Sequence, residues 1–124
     1  MDIATREGRE VAEPADGVHV AELLAGERTS VRYFRIDPGA RLPEHSHPEE
    51  QVGYVTQGVL TLVVGDGGTV EVDGERVETG EHRLDADDAY LVPGGQPHAA
   101  ANRSDGLVEG VDVFAPPRTG PGWR

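Results

Sequence analysis

From Val18 onward the chain is a series of short apolar runs separated by turn residues. The runs cover residues 18–24, 30–36, 51–56, 59–64, 69–72, 89–92 and 107–114. Between them stand Asp37-Pro38-Gly39, Gln57-Gly58, Asp66-Gly67-Gly68, Asp73-Gly74 and Pro93-Gly94-Gly95, all strong turn formers. Seven short runs at close spacing predict an all-β sandwich or barrel rather than helices. A content of 17 Gly and 9 Pro works against long helices in the same way. Residues 1–16 carry no clear period and read as a loose lead-in or short helix, with the barrel occupying 17–124. The acidic stretch 78–88 reads as an exposed connection between barrel strands.

Length and composition narrow the range of functions. A chain of 124 residues supports one domain and one core. No run approaches 18 apolar residues and no charged-then-apolar leader opens the chain, so a cytoplasmic protein without a membrane span is expected. The formal net charge is −12, and all 11 basic residues are arginine. Such an acidic balance disfavours nucleic acid and anionic membranes as partners, because binding phosphate relies on clustered positive charge. It also suggests a surface adapted to a salt-rich, halophilic cytoplasm, where self-repulsion is screened. Cysteine is absent, which excludes disulfides, thiolate ligands and cysteine nucleophiles. Only nitrogen and oxygen donors remain for a metal.

Three of the five histidines form a pattern. On an extended strand alternate side chains share a face, so His45 and His47 project to one side and can reach one ion, and Gln51 continues the odd-numbered series. His98 follows inside Pro93-Gly94-Gly95-Gln96-Pro97-His98. His19 and His82 fall outside this pattern and are expected at the surface.

The stretch from Gly39 through His45, His47 and Gln51 to Gly58 resembles the first signature of the cupin superfamily, with Gln51 in the place of the usual acid. Pro93, Gly95, His98 and Asn102 match the second signature, while Asp87 replaces the glycine that usually leads it. The resemblance spans roughly residues 30–116 and implies a single-domain cupin jelly-roll barrel of antiparallel strands. Its motifs would lie on facing strands around a central cavity. The turn at Gly58 is expected to need a backbone conformation that glycine adopts cheaply. Glu50 is an alternative ligand to Gln51, but it lies one residue off the histidine face unless Pro48 bends the strand. The oxygen of Gln51 is preferred. Three imidazoles and an amide would leave the charge of a divalent ion uncompensated and favour an anionic substrate. Iron, manganese, nickel and zinc all accept such donors.

In the last apolar run, period two places Asp112 and Phe114 on one face and Val111 and Val113 on the other. Which face looks inward is open from this strand alone. The segments around His45-Ser46-His47 and from Asp112 to Arg118 together resemble the small cupins of pectin and alginate degradation, which convert 4,5-unsaturated monouronates to linear keto forms. That resemblance implies metal ligands His45, His47, Gln51 and His98. It also implies a proton-moving Asp112, an aromatic Phe114 against the substrate, and Arg118 as the fork that orients a sugar carboxylate. Two other readings stand beside it: an iron-dependent dioxygenase, and a non-enzymatic module that binds metal or a small ligand. A homodimer paired through edge strands is expected.

Overall fold

The computed structural model describes residues 1–65, 67–78 and 80–119. These contain no helix and form twelve strands. In chain order they are β1 (Ala12–Ala15), β2 (Val18–Ala25), β3 (Ser30–Ile36), β4 (Arg41–His45), β5 (Glu50–Gln57), β6 (Leu60–Val64), β7 (Val70–Val72), β8 (Glu75–Val77), β9 (Glu81–Leu84), β10 (Ala89–Val92), β11 (His98–Ala101) and β12 (Val108–Ala115). A six-stranded sheet runs β1-β2-β3-β12-β5-β10 and a four-stranded sheet runs β4-β11-β6-β9. All pairings are antiparallel. The core joins both sheets: Val18, Val20, Phe34, Ile36, Val55 and Val108 from the larger meet Leu60, Leu62 and Leu84 from the smaller. Each such side chain withdrawn from water contributes about 1.5–3 kcal/mol.

The register of the six-stranded sheet sorts its inner face into layers. Val18, Ile36 and Val108 lie in one cross-strand row, and Val20, Phe34, Gly110 and Val55 in the next. Then the chemistry changes. The third row reads Glu22, Arg32, Asp112, Gly53 and Tyr90 across five strands, and the fourth contains Ser30, Phe114, Gln51 and Val92. One end of the sandwich is therefore an apolar plug and the other a polar chamber.

The structure departs from the sequence expectations in several places. Residues 12–15 form β1 on the edge of the larger sheet, inside the segment expected to be a loose lead-in. Strand β9 lies inside the stretch read as an exposed connection and pairs with β6, burying Leu84. Alanine-rich β11 gave no strand signal, yet partners on both sides hold it extended, as tertiary context routinely overrides propensity. The apolar run at 69–72 ends in β7, which pairs with β8 as a separate hairpin turned at Asp73-Gly74. His45 and His47 do not share one strand. His45 closes β4, whereas His47 stands in the link before β5.

Two turn positions explain parts of the signatures. Gly58 has φ 84°, and a Cβ there would run into the carbonyl of Leu107. Asp87, in the place of a glycine, keeps the left-handed conformation with φ 75° and accepts the Tyr54 hydroxyl at 2.8 Å. Aspartate tolerates that region better than most residues. Asn102 is structural: its amide donates to the carbonyls of Ile36 at 2.9 Å and Gly106 at 2.7 Å.

Candidate metal centre and cavity

His45 and His98 are direct cross-strand partners in the smaller sheet, which brings their rings to 4.4 Å between centroids. The link carrying His47 curls so that its ring meets His98 edge-on at 5.2 Å. One ligand nitrogen from each of the three lies within 4.8 Å of the others. Each Nδ1 faces a backbone carbonyl: Pro43 for His45 at 3.0 Å, Glu49 for His47 at 3.0 Å and Gln96 for His98 at 2.8 Å. A carbonyl only accepts, so each Nδ1 carries the hydrogen and, in the neutral ring, Nε2 presents a bare lone pair.

Two further observations fit a bound cation. The Nε2 of His98 is buried and has no hydrogen-bond partner among the described residues. The Nε2 of His47 lies 3.0 Å from Oε1 of Gln51, and in the neutral ring this sets two acceptors face to face. Oε1 is the end of the Gln51 amide that faces His47. Lone pairs this close repel unless a positive charge lies between them. A cation held by both atoms would relieve that repulsion. The donor set of three imidazoles and one amide oxygen therefore fits a divalent transition metal. Glu50 faces outward on β5 while Gln51 faces the cavity, which favours the amide over the carboxylate as fourth donor.

Burial pushes His98 down from its ordinary 6.5 to about 4, and it also lowers His47, helped by the charge of Arg118. Neutral rings are the form a metal needs. The shift also carries a sign for stability. Between pH 6.5 and 4 the unfolded chain protonates this ring and the folded chain does not, so the folded state binds fewer protons. Metal-free protein is expected to lose stability as pH falls from 6.5 toward 4, with no such contribution above 6.5. Urea unfolding in chelator across that range checks this, and His98→Gln should flatten the slope.

The cavity beside the histidines is lined by Phe34, Leu60, Leu62 and Ile36 at its apolar end and by Arg32, Gln51, Tyr90, Asp112, Phe114 and Arg118 at its polar end. The inward face of β12 is the one carrying Asp112 and Phe114, since even-numbered residues from Val108 to Phe114 are buried in alternation. Asp112 is 8% exposed. Burial raises its pKa, opposed by hydrogen bonds from Tyr90 and Gln51 and by the charge of Arg32. Arg118 donates from Nη1 to Glu49 at 3.1 Å, and its backbone N–H donates to Ser30 Oγ at 2.9 Å, which anchors the arm after Pro117. Glu49 is itself 3.6 Å from Nδ1 of His47, so one carboxylate connects the arginine to a histidine of the cluster. The guanidinium carbons of Arg32 and Arg118 lie 5.1 and 5.8 Å from the centre of the Phe114 ring.

All seven residues singled out from the sequence, His45, His47, Gln51, His98, Asp112, Phe114 and Arg118, meet at this one cavity. Sequence reasoning missed Arg32, Tyr90 and Glu49. Arg32 had a signal: it falls in phase with the inward Phe34 and Ile36 on β3. Of the remaining histidines, His19 is half-buried and bonds Asp37 at 3.1 Å, and His82 faces the carbonyl of Glu78 at 3.0 Å.

The chain belongs to the cupin domain family, which matches residues 32–114. Among curated proteins it is similar to the H2HPP isomerase of Bacillus subtilis, at 28% identity over 98 residues. That match covers 79% of this chain, and the chain spans only 36% of the length of that relative. Among solved structures, KdgF from a Halomonas species superposes with a TM-score of 0.70 at 23% identity, covering 93% of this chain and 94% of the other. The polyketide cyclase RemF from Streptomyces resistomycificus superposes with a TM-score of 0.73 at 21% identity, covering 93% and 79%. These two likenesses speak to the fold.

Proposed function

We propose that this cupin is a metal-dependent, non-oxidative enzyme acting on a small anionic sugar derivative, and that it converts a 4,5-unsaturated monouronate to its linear keto form. The observation that carries the reading is the meeting of Asp112, Phe114 and Arg118 with three bare histidine nitrogens in a single cavity. The curated relative is named an isomerase, a class that conserves oxidation state, which suits chemistry of this kind.

The substrate class follows from charge. His45, His47, His98 and Gln51 would hold the ion without neutralising it, and Arg32 and Arg118 add positive charge on the same wall. Among the described residues Arg118 uses one donor on Glu49, which leaves others for a substrate carboxylate. Phe114 offers a flat apolar face against a sugar ring. A divalent ion bound by these ligands would supply Lewis-acid polarisation of a substrate oxygen.

Ring opening requires the anomeric hydroxyl to lose its proton and the bond between the anomeric carbon and the ring oxygen to break, while the ring oxygen keeps the bonding pair and takes up a proton. The resulting enol then gives up its hydroxyl proton while C4 gains one. Protons move, and no electrons are lost or gained overall. Asp112 is the group suited to moving them, because it is the carboxyl that lines the cavity beside the histidines. The experiment is proton NMR of 4,5-unsaturated monogalacturonate with metal-loaded protein. Loss of the C4 vinyl proton signal with no oxygen uptake is expected. Oxygen uptake would favour the dioxygenase reading, and an unchanged spectrum would overturn the proposal.

A further inference from the structure

Tyr90 stands in the third inner row of the larger sheet, in line with Gly53 and Asp112. Tyr90 on β10 sends its hydroxyl across the neighbouring strand and donates to Oδ1 of Asp112 at 2.7 Å. The strand between them, β5, carries Gly53 at the position that pairs with both Tyr90 and Asp112. A Cβ at Gly53 would run into the Tyr90 ring. The missing side chain is thus the space through which the phenol reaches the acid two strands away. A core that only needed filling would place an apolar side chain at position 53 and a shorter one at 90.

The pairing is costly to build. Asp112 is buried and Tyr90 half-buried, and withdrawal from water lifts the phenol well above its ordinary pKa, with the Asp112 charge adding to the effect. Tyr90 therefore remains a neutral donor. A buried polar group left unpaired destabilises a fold, and a carboxyl costs more than a phenol. Seating a tyrosine would need only a carbonyl as acceptor. On the other side of Asp112 its cross-strand partner is Arg32, so the carboxyl is bracketed along the row by a hydroxyl donor and a guanidinium.

We infer that Tyr90 is a positioning residue for Asp112: it fixes the rotation of the carboxyl so that it faces the substrate cavity, through a gap that Gly53 leaves open. The inference rests on the proposed role of Asp112 as the proton-moving group. Tyr90 acts through Asp112 and not as a second acid.

A double-mutant cycle of Tyr90→Phe and Asp112→Asn tests it, with 4,5-unsaturated monogalacturonate as the probe and metal content measured for each protein. Phenylalanine keeps the ring in place, so the fold and metal occupancy should hold. Loss of a hydrogen bond to a charged acceptor predicts a fall in kcat of about ten- to hundredfold with KM within about twofold. In the Asp112→Asn background the same change should cost nothing further, because residues acting as one unit are not additive. Retained kcat in Tyr90→Phe, or a loss that adds in full to that of Asp112→Asn, would overturn the inference while leaving the role of Asp112 standing. Full turnover in Asp112→Asn, or none in the parent protein, would instead remove the underlying reading and this inference with it. A substrate-free readout accompanies the kinetics: a slowly exchanging, low-field hydroxyl proton in the NMR spectrum of the parent, absent in Tyr90→Phe and shifted in Asp112→Asn.

Discussion

Replacing His47 by alanine is expected to abolish metal retention and turnover together while the barrel stays folded. The residue is 6% exposed, its Nδ1 is tied to the Glu49 carbonyl, and its Nε2 faces the oxygen of Gln51. No neighbour among the described residues can take over its lone pair, because Glu49 is engaged by Arg118 and Glu50 faces outward. Removing an outer partner of a metal ligand costs ~10–100-fold in affinity, and removing the ligand should cost more. Metal analysis after gel filtration, with far-UV circular dichroism as the folding control, checks this. Occupancy equal to the parent protein would contradict the assignment of the cluster.

Asp112→Asn separates metal binding from catalysis. Asparagine has nearly the same shape and still accepts from Tyr90, so the cavity and the histidine cluster should be preserved. It cannot carry the proton. General acid–base catalysis is worth ~10²–10⁴ in rate, and a fall of that size with unchanged metal content is the expected result. A parallel loss of metal would instead assign Asp112 to holding Gln51, which lines the same cavity. The two variants thus predict opposite patterns: His47→Ala loses both properties and Asp112→Asn loses one.

The reasons these residues meet were only partly visible before folding. Alternation placed Asp112 and Phe114 on one face of the last strand, and the burial of β12 shows that face turned inward. Strand alternation does not join His45 and His47, because one closes a strand and the other stands in a link. The two histidines still converge, since the link folds back and β11 places His98 opposite His45. That geometry depends on pairing between segments more than fifty residues apart, which no local pattern contains. Arg32 and Tyr90 escaped notice for a related reason. Each looks ordinary on its own strand, and only the register aligns Tyr90, Asp112 and Arg32 in one row. Strands β1 and β9 were missed because their residues are too polar or too short-chained to stand out from loops.

The claim on which the rest depends is that three imidazoles and one carboxamide bind a single divalent ion. Anomalous diffraction from crystals grown with manganese or nickel tests it directly. One peak is expected at coordinating distance from Nε2 of His45, His47 and His98 and from Oε1 of Gln51. A map with no peak among these atoms, or with the ion held by Glu49 or Glu50 instead, would contradict the account.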